Sequence, residues 1–255
     1  MINQISYERL STNLLKIAQY QIPRLQMMRA KAIAKDFKPE RLGVITVSYR
    51  DGQYWVVDGQ HRLVAAKIAK YPDLMCEVVS GLTYEEEAYL FANQDENKKP
   101  VQLSVKWNSL RIAGHEETLK IDRIVESAGL ELSTNGHKGK GQIIAISTVK
   151  SIHNQLGDEG LYRVLSVIRR AWDGIPDSLD KNILLGTAMI VKTYGSDLRE
   201  DVLVSQLRKV EPIVIIREGK ADISYKGTSG STKYAKAILR AYNYKLRNQL
   251  PNRLD

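Results

Sequence analysis

The sequence predicts an α+β protein, in which a domain of strands and helices is followed by a mostly α-helical C-terminal domain. In the first 113 residues, short runs rich in β-branched and aromatic residues alternate with helical patterns. After residue 114 almost every apolar pattern repeats at helical spacing. A chain of 255 residues suits two medium-sized domains. We therefore expect a leader helix over residues 1–21, a sheet-bearing domain over 22–113 and a basic helical domain over 114–255.

Composition places the chain among ordinary globular proteins. Apolar residues make up 43% of the sequence, which is enough for a core, and the longest uncharged apolar runs are far too short to span a membrane. No N-terminal stretch combines a basic start, an apolar core and a small-residue cleavage site. A soluble, cytoplasmic protein is expected. The single cysteine, Cys76, excludes an intrachain disulfide, and its position in an apolar run predicts a buried thiol.

Local signals define the elements of the first domain. Asp51-Gly52 between two apolar runs predicts a tight hairpin, because these residues supply the positive φ angles that such turns need. Thr83 followed by Glu86 has the spacing of a capping box at a helix N-terminus. Strands are predicted over residues 42–49, 54–57 and 74–79, and helices over 30–37, 63–69 and 83–91.

The stretch from Tyr54 to Ala66 carries the clearest functional signal. A β-rich run enters it, a helical run leaves it, and Asp58-Gly59-Gln60-His61-Arg62 lies between. This predicts a strand, a tight turn and a helix N-terminus, where outward-pointing amides favour a phosphate. Arg62 offers a planar guanidinium that matches phosphate oxygens. The alternative is that Asp58 simply caps the helix and Gly59 makes the turn.

Asp58-Gly59-Gln60-His61-Arg62 resembles the signature of one branch of the ParB/sulfiredoxin-like superfamily, and the resemblance covers roughly residues 22–111. In the ParB branch the corresponding turn reads Gly-Glu-Arg-Arg and holds a nucleoside triphosphate. The resemblance implies a small mixed sheet with helices, and a nucleotide with Mg²⁺ at this turn. Sulfiredoxins use a cysteine there, so Gln60 and His61 do not support their redox activity. The nucleotide-binding residues implied are Asp58, Gly59, Gln60, His61, Arg62, Asn93 and Lys98.

The segment after residue 91 departs from the ParB pattern. ParB proteins carry Glu-Asn-x-x-Arg after the corresponding helix, and that segment also touches the nucleotide. Here Asn93 matches the Asn, but Ala92 replaces the Glu and Glu96 stands where the Arg would be. Lys98 or Lys99 could supply the missing charge. Asp58, Glu85, Glu86, Glu87 and Asp95 could gather near the turn, and carboxylates beside phosphate suit magnesium.

Positive charge is concentrated in the second half of the chain. Residues 136–255 hold 20 Lys and Arg against 12 Asp and Glu, a net charge of +8 out of +9 for the whole chain. This imbalance favours a polyanion such as DNA. The glycine-rich loop 136–141 has Gln142 and Ile143 where a P-loop needs Lys and Ser/Thr, which excludes a P-loop. Two helices around Gly157 are either a helix-turn-helix reader or a packed pair. Candidate DNA-binding residues are Lys138, Lys140, Arg169, Arg170, Lys233, Lys236 and Arg240.

Three functions are open from the sequence. The first is a nucleotide-binding, DNA-associated ParB-like protein, since a DGQHR domain with a basic helical tail resembles proteins of phages, prophages and plasmids. The second is a metal-dependent nuclease or phosphodiesterase, with His61 and Asp58 as catalytic candidates. The third is a protein-interaction module. The expected partners are a nucleotide and DNA, with a homodimer left open and no membrane. No histidine spacing indicates zinc, and no metal ligand is assigned.

Overall fold

A computed structural model describes residues 4–93, 102–221 and 230–254. It divides into two compact units, Met1–Thr118 and Leu119–Asp255. The first holds a five-stranded mixed sheet with helices, and the second is mostly helical. The predicted α+β class, with a sheet first and a helical part after it, is confirmed.

Five strands form the sheet of the first unit, in the order β1-β5-β3-β4-β2. β1 and β5 pair antiparallel, as do β3 and β4, whereas the β5–β3 and β4–β2 pairs are parallel. The strands are β1 (Gln4–Ser11), β2 (Leu15–Ile17), β3 (Ile45–Arg50), β4 (Gln53–Asp58) and β5 (Asp73–Ser80).

The predicted leader helix over residues 1–21 is wrong. This segment contains β1, β2 and the start of a short 3-10 helix over Gln19–Arg24. β1 pairs with β5 over its whole length, from Gln4 opposite Ser80 to Ser11 opposite Asp73. Pairing with a strand more than 60 residues away decides the conformation here, because local propensity is weak against such tertiary contacts.

Helices cover the two faces of the sheet. α1 and α3 pack on one face, where Leu63 and Ala66 join a core with Val47, Val56 and Cys76. α4, α5 and the 3-10 helix pack on the other face, around Phe91, Val105 and Tyr20. The helices are α1 (Met27–Lys35), α2 (Pro39–Leu42), α3 (Gln60–Ile68), α4 (Tyr84–Ala92) and α5 (Leu103–Ile112).

Three local predictions for this unit are confirmed. Asp51 and Gly52 have φ angles of 53° and 70°, and they turn β3 into β4. Thr83 and Glu86 form both hydrogen bonds of a capping box at the start of α4. Cys76 is fully buried in β5, and burial raises the pKa of its thiol to about 11.

The second unit is built mainly from helices, with α8 among the most buried. Gly157 interrupts α7 with φ 68° and ψ −169°, at the predicted break. Only this one residue separates the two halves, fewer than the three or four in a helix-turn-helix turn. The apolar run 213–216 is helical. The elements are α6 (Glu116–Ser127), β6 (Glu131–Leu132), β7 (Gln142–Ile143), α7 (Ile146–Trp172), α8 (Lys181–Tyr194), α9 (Glu200–Leu207), α10 (Pro212–Ala221) and α11 (Gly230–Asn243).

The last helix, α11, ends at Asn243. The Asn243 side chain accepts from the amide of Leu250 and donates to its carbonyl, which folds the chain back after the helix. Within the described ranges, no helix has both the length and the apolar character needed to cross a bilayer.

Candidate functional site: the Asp58–Arg62 turn and its cavity

The turn has the predicted strand, turn and helix arrangement. β4 ends at Asp58, Gly59 adopts φ 106° and ψ 16°, and α3 begins at Gln60. A Cβ on Gly59 would lie 2.4 Å from Cγ2 of Ile45, so both the positive φ and the close approach require glycine. The first intrahelical bond runs from the Leu63 amide to the Gly59 carbonyl, over 2.9 Å. The amides of the first turn therefore point out of the helix end, and Gly59 offers no side-chain cap.

Arg62 is fixed inside the turn rather than extended into solvent. Its Nη1 donates to the carbonyls of Leu42 and Val44, at 2.7 and 3.0 Å. Its Nη2 donates to Oδ2 of Asp58 at 2.9 Å. The guanidinium thus ties the turn to the chain that enters β3, and it neutralises Asp58.

His61 and Gln60 differ in their surroundings. Nε2 of His61 accepts a hydrogen bond from the backbone amide of Gln26, over 3.0 Å. The proton of the neutral ring then lies on Nδ1. Gln60 is only 4% exposed, and both polar atoms of its carboxamide are buried without a hydrogen-bond partner among the residues that the structure describes. An unsatisfied buried polar group costs about 1–3 kcal/mol.

A cavity of about 730 Å³ lies beside Asp58. Its volume falls within the roughly 300–1,000 Å³ of small-molecule sites. Residues of β1, β3, β4 and β5 line it together with α4 and the segments that flank α4 and α5. The lining residues are Ile5, Thr46, Val57, Asp58, Glu77, Val79, Leu82, Glu85, Glu86, Tyr89, Leu90, Asn93 and Ala113.

Carboxylates supply the charge of this cavity. Glu77 accepts from the Tyr7 hydroxyl at 2.8 Å and from the Thr46 hydroxyl at 3.3 Å, and the bond to Glu77 raises the pKa of Tyr7. Glu86 accepts from the Thr83 amide at 2.9 Å. The pKa of Glu85 is lowered, first by its own backbone amide and then by the side chain of Thr83.

The second predicted nucleotide segment is described only at its start. Asn93 ends α4, where its side-chain amide donates to the Tyr89 carbonyl at 2.9 Å, and it lines the cavity. Lys98 and Asp95 lie outside the described residues. Asn93 therefore lines the same cavity as Asp58.

Glu87 does not join the carboxylates of the cavity. It is fully buried, and it accepts from the Tyr20 hydroxyl at 2.8 Å and from Nε of Arg50 at 3.3 Å. Burial and the nearby Glu87 charge raise the pKa of Tyr20. The Arg50 guanidinium also lies over the rings of Trp55 and Tyr84, at 5.3 and 5.2 Å from their centroids. This network holds the helical layer on the sheet.

No group of three or more His, Cys, Asp or Glu side chains in the described part of the chain is arranged to hold a metal ion. Asp58 contributes one carboxylate next to the turn, already paired with Arg62. Magnesium at this site would need ligands from the nucleotide itself, since Mg²⁺ commonly takes one or two carboxylates plus substrate phosphates.

The predicted DNA-binding residues fall into two groups in the second unit. The first group lies in the 136–141 loop and at the end of α7, and the second lies on α11. Lys140 and Arg169 both pair with Asp173, Lys138 lies 3.7 Å from Asp177, and Arg170 pairs with Asp201. Arg208 donates twice to the Arg170 carbonyl, at 2.9 and 3.0 Å.

The three predicted residues on α11 differ in exposure. Arg240 pairs with Glu218 at 3.1 Å and Lys233 is partly exposed. Lys236 is only 5% exposed, so its side chain is packed in the helical core rather than presented to a phosphate backbone. We leave Lys236 out of the DNA-binding set for this reason.

Glu77 is the main site residue that sequence reasoning missed. It is the one charged residue in the apolar run 74–79, and period-two alternation places it on the opposite face from Cys76. That alternation was a usable signal for a polar position on one face of the sheet.

Comparison with known proteins identifies the family. The model of DUF6551, described as a family of unknown function, matches residues 17–253. No curated protein matches the chain. The matched range contains the turn, every cavity-lining residue except Ile5, and nearly all of the basic helical unit. The chain therefore belongs to the DUF6551 family.

Proposed function

We propose that this chain is a ParB/sulfiredoxin-like, nucleotide-binding and DNA-associated protein of the phage or mobile-element type. A nucleoside triphosphate binds at the Asp58–Arg62 turn, and the basic C-terminal half contacts DNA. The observation that carries the proposal is the left-handed Gly59 at the N-terminus of α3, with Asp58 before it in the wall of a ligand-sized cavity and the carboxamide of Gln60 after it buried and unsatisfied.

In this proposal the phosphates bind at the N-terminus of α3. Backbone amides of the first turn of α3 donate to phosphate oxygens, and the positive end of the helix dipole favours the negative charge. Gly59 supplies the positive φ and the close packing against Ile45 that set the direction of this helix end. Gln60 supplies a buried donor, and Arg62 keeps the turn in shape through Asp58. His61 anchors the turn to Gln26 through Nε2.

Magnesium accompanies the triphosphate. The phosphates themselves would supply most of its ligands, because Asp58 is paired with Arg62 and the described carboxylates form no cluster of three. A divalent ion held mainly by the phosphates would neutralise charge that the cavity carboxylates would otherwise repel. Lys98 and Lys99 follow Asn93 in the sequence and remain candidates for the same task.

DNA binding is proposed for the second unit on charge. Residues 136–255 carry a net charge of +8. Lys138, Lys140, Arg169 and Arg170 come from the 136–141 loop and the end of α7. Their present partners are side-chain carboxylates, which phosphates can replace with release of counterions.

The two alternatives have less support. A nuclease or phosphodiesterase would need His61 as a general acid or base, but Nε2 of His61 is held by Gln26. It would also need carboxylates for a metal, and Asp58 is paired with Arg62. A protein-interaction module would leave the buried Gln60 without a role.

Calorimetric titration with the magnesium complexes of ATP, CTP, GTP and UTP tests the proposal. Saturable binding of at least one nucleotide, together with salt-dependent retention of DNA, is expected. If none of the four binds, the nucleotide half of the proposal is refuted. Binding without any DNA retention would refute the other half.

A further inference from the structure

The cavity beside the turn has a one-sided charge. Its lining includes Asp58, Glu77, Glu85 and Glu86, and none of the described lining residues is basic. Arg62 neutralises Asp58 at 2.9 Å. Such a surface repels phosphate and attracts groups that donate hydrogen bonds or carry positive charge.

Glu77 retains acceptor capacity inside the cavity. Its two partners, the hydroxyls of Tyr7 and Thr46, are neutral and leave the negative charge in place. A carboxylate offers about four lone-pair sites. Two are used here, so further donors from a ligand can be accepted. Hydrogen bonds to an ionised carboxylate are roughly twice as strong as neutral ones.

The remaining walls suit a flat organic ring. Val57, Val79, Leu82 and Leu90 supply apolar surface, and Tyr89 adds an aromatic ring that is 52% exposed. Aromatic faces stack on planar heterocycles. The cavity therefore combines apolar contact area with acceptors at its edge.

We infer that the base of the nucleotide, not its phosphates, enters this cavity, and that the preferred base carries an exocyclic amine. The inference rests on the proposed nucleotide-binding function and specifies its ligand. An amine donates to Glu77 or Glu85, whereas a ring carbonyl at the same position would place an oxygen lone pair against a carboxylate. Sites that hydrogen-bond one substrate group reject analogues that lack it.

Two nucleotide pairs test this directly: ATP against ITP, and CTP against UTP. Within each pair an amine is exchanged for a carbonyl at one ring carbon. Calorimetry with magnesium should show at least roughly tenfold tighter binding of the amine member in one pair, about 1.4 kcal/mol. Glu77→Gln should bring that ratio towards one, because the neutral amide no longer favours donors over acceptors. Glu85→Gln, on an exposed helix turn, serves as a second variant if Glu77→Gln folds poorly.

Glu8→Gln is the matched control. Glu8 pairs with Cys76, so it faces the side of the sheet opposite to Glu77, and its substitution should leave the ratio unchanged. Equal binding of both members of each pair, or a ratio that neither Glu77→Gln nor Glu85→Gln alters, overturns the inference while the proposed function stands. Absence of binding by all nucleotides overturns the proposed function and the inference with it.

Discussion

Replacing Gln60 by methionine should stabilise the fold and weaken nucleotide binding at the same time. The two buried, unsatisfied atoms of Gln60, Oε1 and Nε2, each cost about 1–3 kcal/mol. Methionine has a similar length and flexibility without polar atoms, and volume-conserving swaps in a core usually cost less than about 1.5 kcal/mol. We expect a net gain of about 1–3 kcal/mol in the free energy of unfolding.

Gln60→Met should lower nucleotide affinity while it raises stability. If Gln60 donates to a phosphate, its loss should weaken binding at least roughly tenfold, or about 1.4 kcal/mol. Urea unfolding gives the stability change in the absence of ligand, and calorimetry gives the affinity. The opposite signs separate a ligand-binding residue from a residue that only supports the fold.

Gln206 provides a matched control for this substitution. It is 3% exposed, but its Nε2 donates to the carbonyls of Tyr242 and Tyr244, at 3.1 and 2.7 Å. Gln206→Met should therefore lower stability and leave nucleotide affinity unchanged. A Gln60→Met protein that is less stable than the wild type, or that binds nucleotide equally well, would refute the reasoning.

Three further predictions follow from local geometry. Gly59→Ala should lower the free energy of unfolding, measured with urea, by about 2–5 kcal/mol, because the added Cβ clashes with Ile45 and the φ angle is unfavourable. Gly52 also has a positive φ but has open space around it, so Gly52→Ala should lower stability clearly less. Equal losses of stability in the two variants would contradict the clash at Gly59. Burial raises the pKa of the Cys76 thiol to about 11, so this thiol stays protonated at pH 8. Iodoacetamide should therefore label Cys76 only after unfolding. Rapid labelling of the native protein would contradict the burial of this residue. Lys140→Gln should reduce the slope of log K for DNA binding against log salt concentration by about one. The control Lys120→Gln should leave this slope unchanged. Identical slopes for the two variants would show that Lys140 does not contact DNA.

Elements with strong local signals were predictable from the sequence. The Asp51-Gly52 hairpin and the Thr83–Glu86 capping box depend on residues within four positions of one another. The same holds for the strand, turn and helix around Gly59. In each case the backbone conformation follows from side-chain chemistry that is adjacent in the sequence.

β1 was not predictable in this way. It pairs with β5, and its exposed Ile5 and Tyr7 lie opposite Val79 and Glu77. Nothing near residues 4–11 reveals that partner. A strand at the edge of a sheet is defined by its neighbour, and that information lies some 70 residues away in the chain.

In the candidate site, too, some features were predictable from the sequence and others were not. The sequence placed Asp58, Gly59 and Asn93 near one another, and the structure brings Asp58 and Asn93 to the same cavity. It did not reveal that Arg62 would be held by carbonyls of the chain entering β3. Nor did it place Glu77 across from the turn, because the parallel pairing of β3 and β5 joins segments about 30 residues apart.

Amide hydrogen exchange with and without saturating magnesium nucleotide tests the central claim most directly. The account predicts slower exchange at residues 59–62, in the first turn of α3, and along the cavity walls at Glu77 and Tyr89. Exchange in α8, within the helical unit, should be unaffected by nucleotide alone. Protection confined to the helical unit, or no protection at the turn under saturating conditions, would contradict the assignment of the Asp58–Arg62 turn as the nucleotide site.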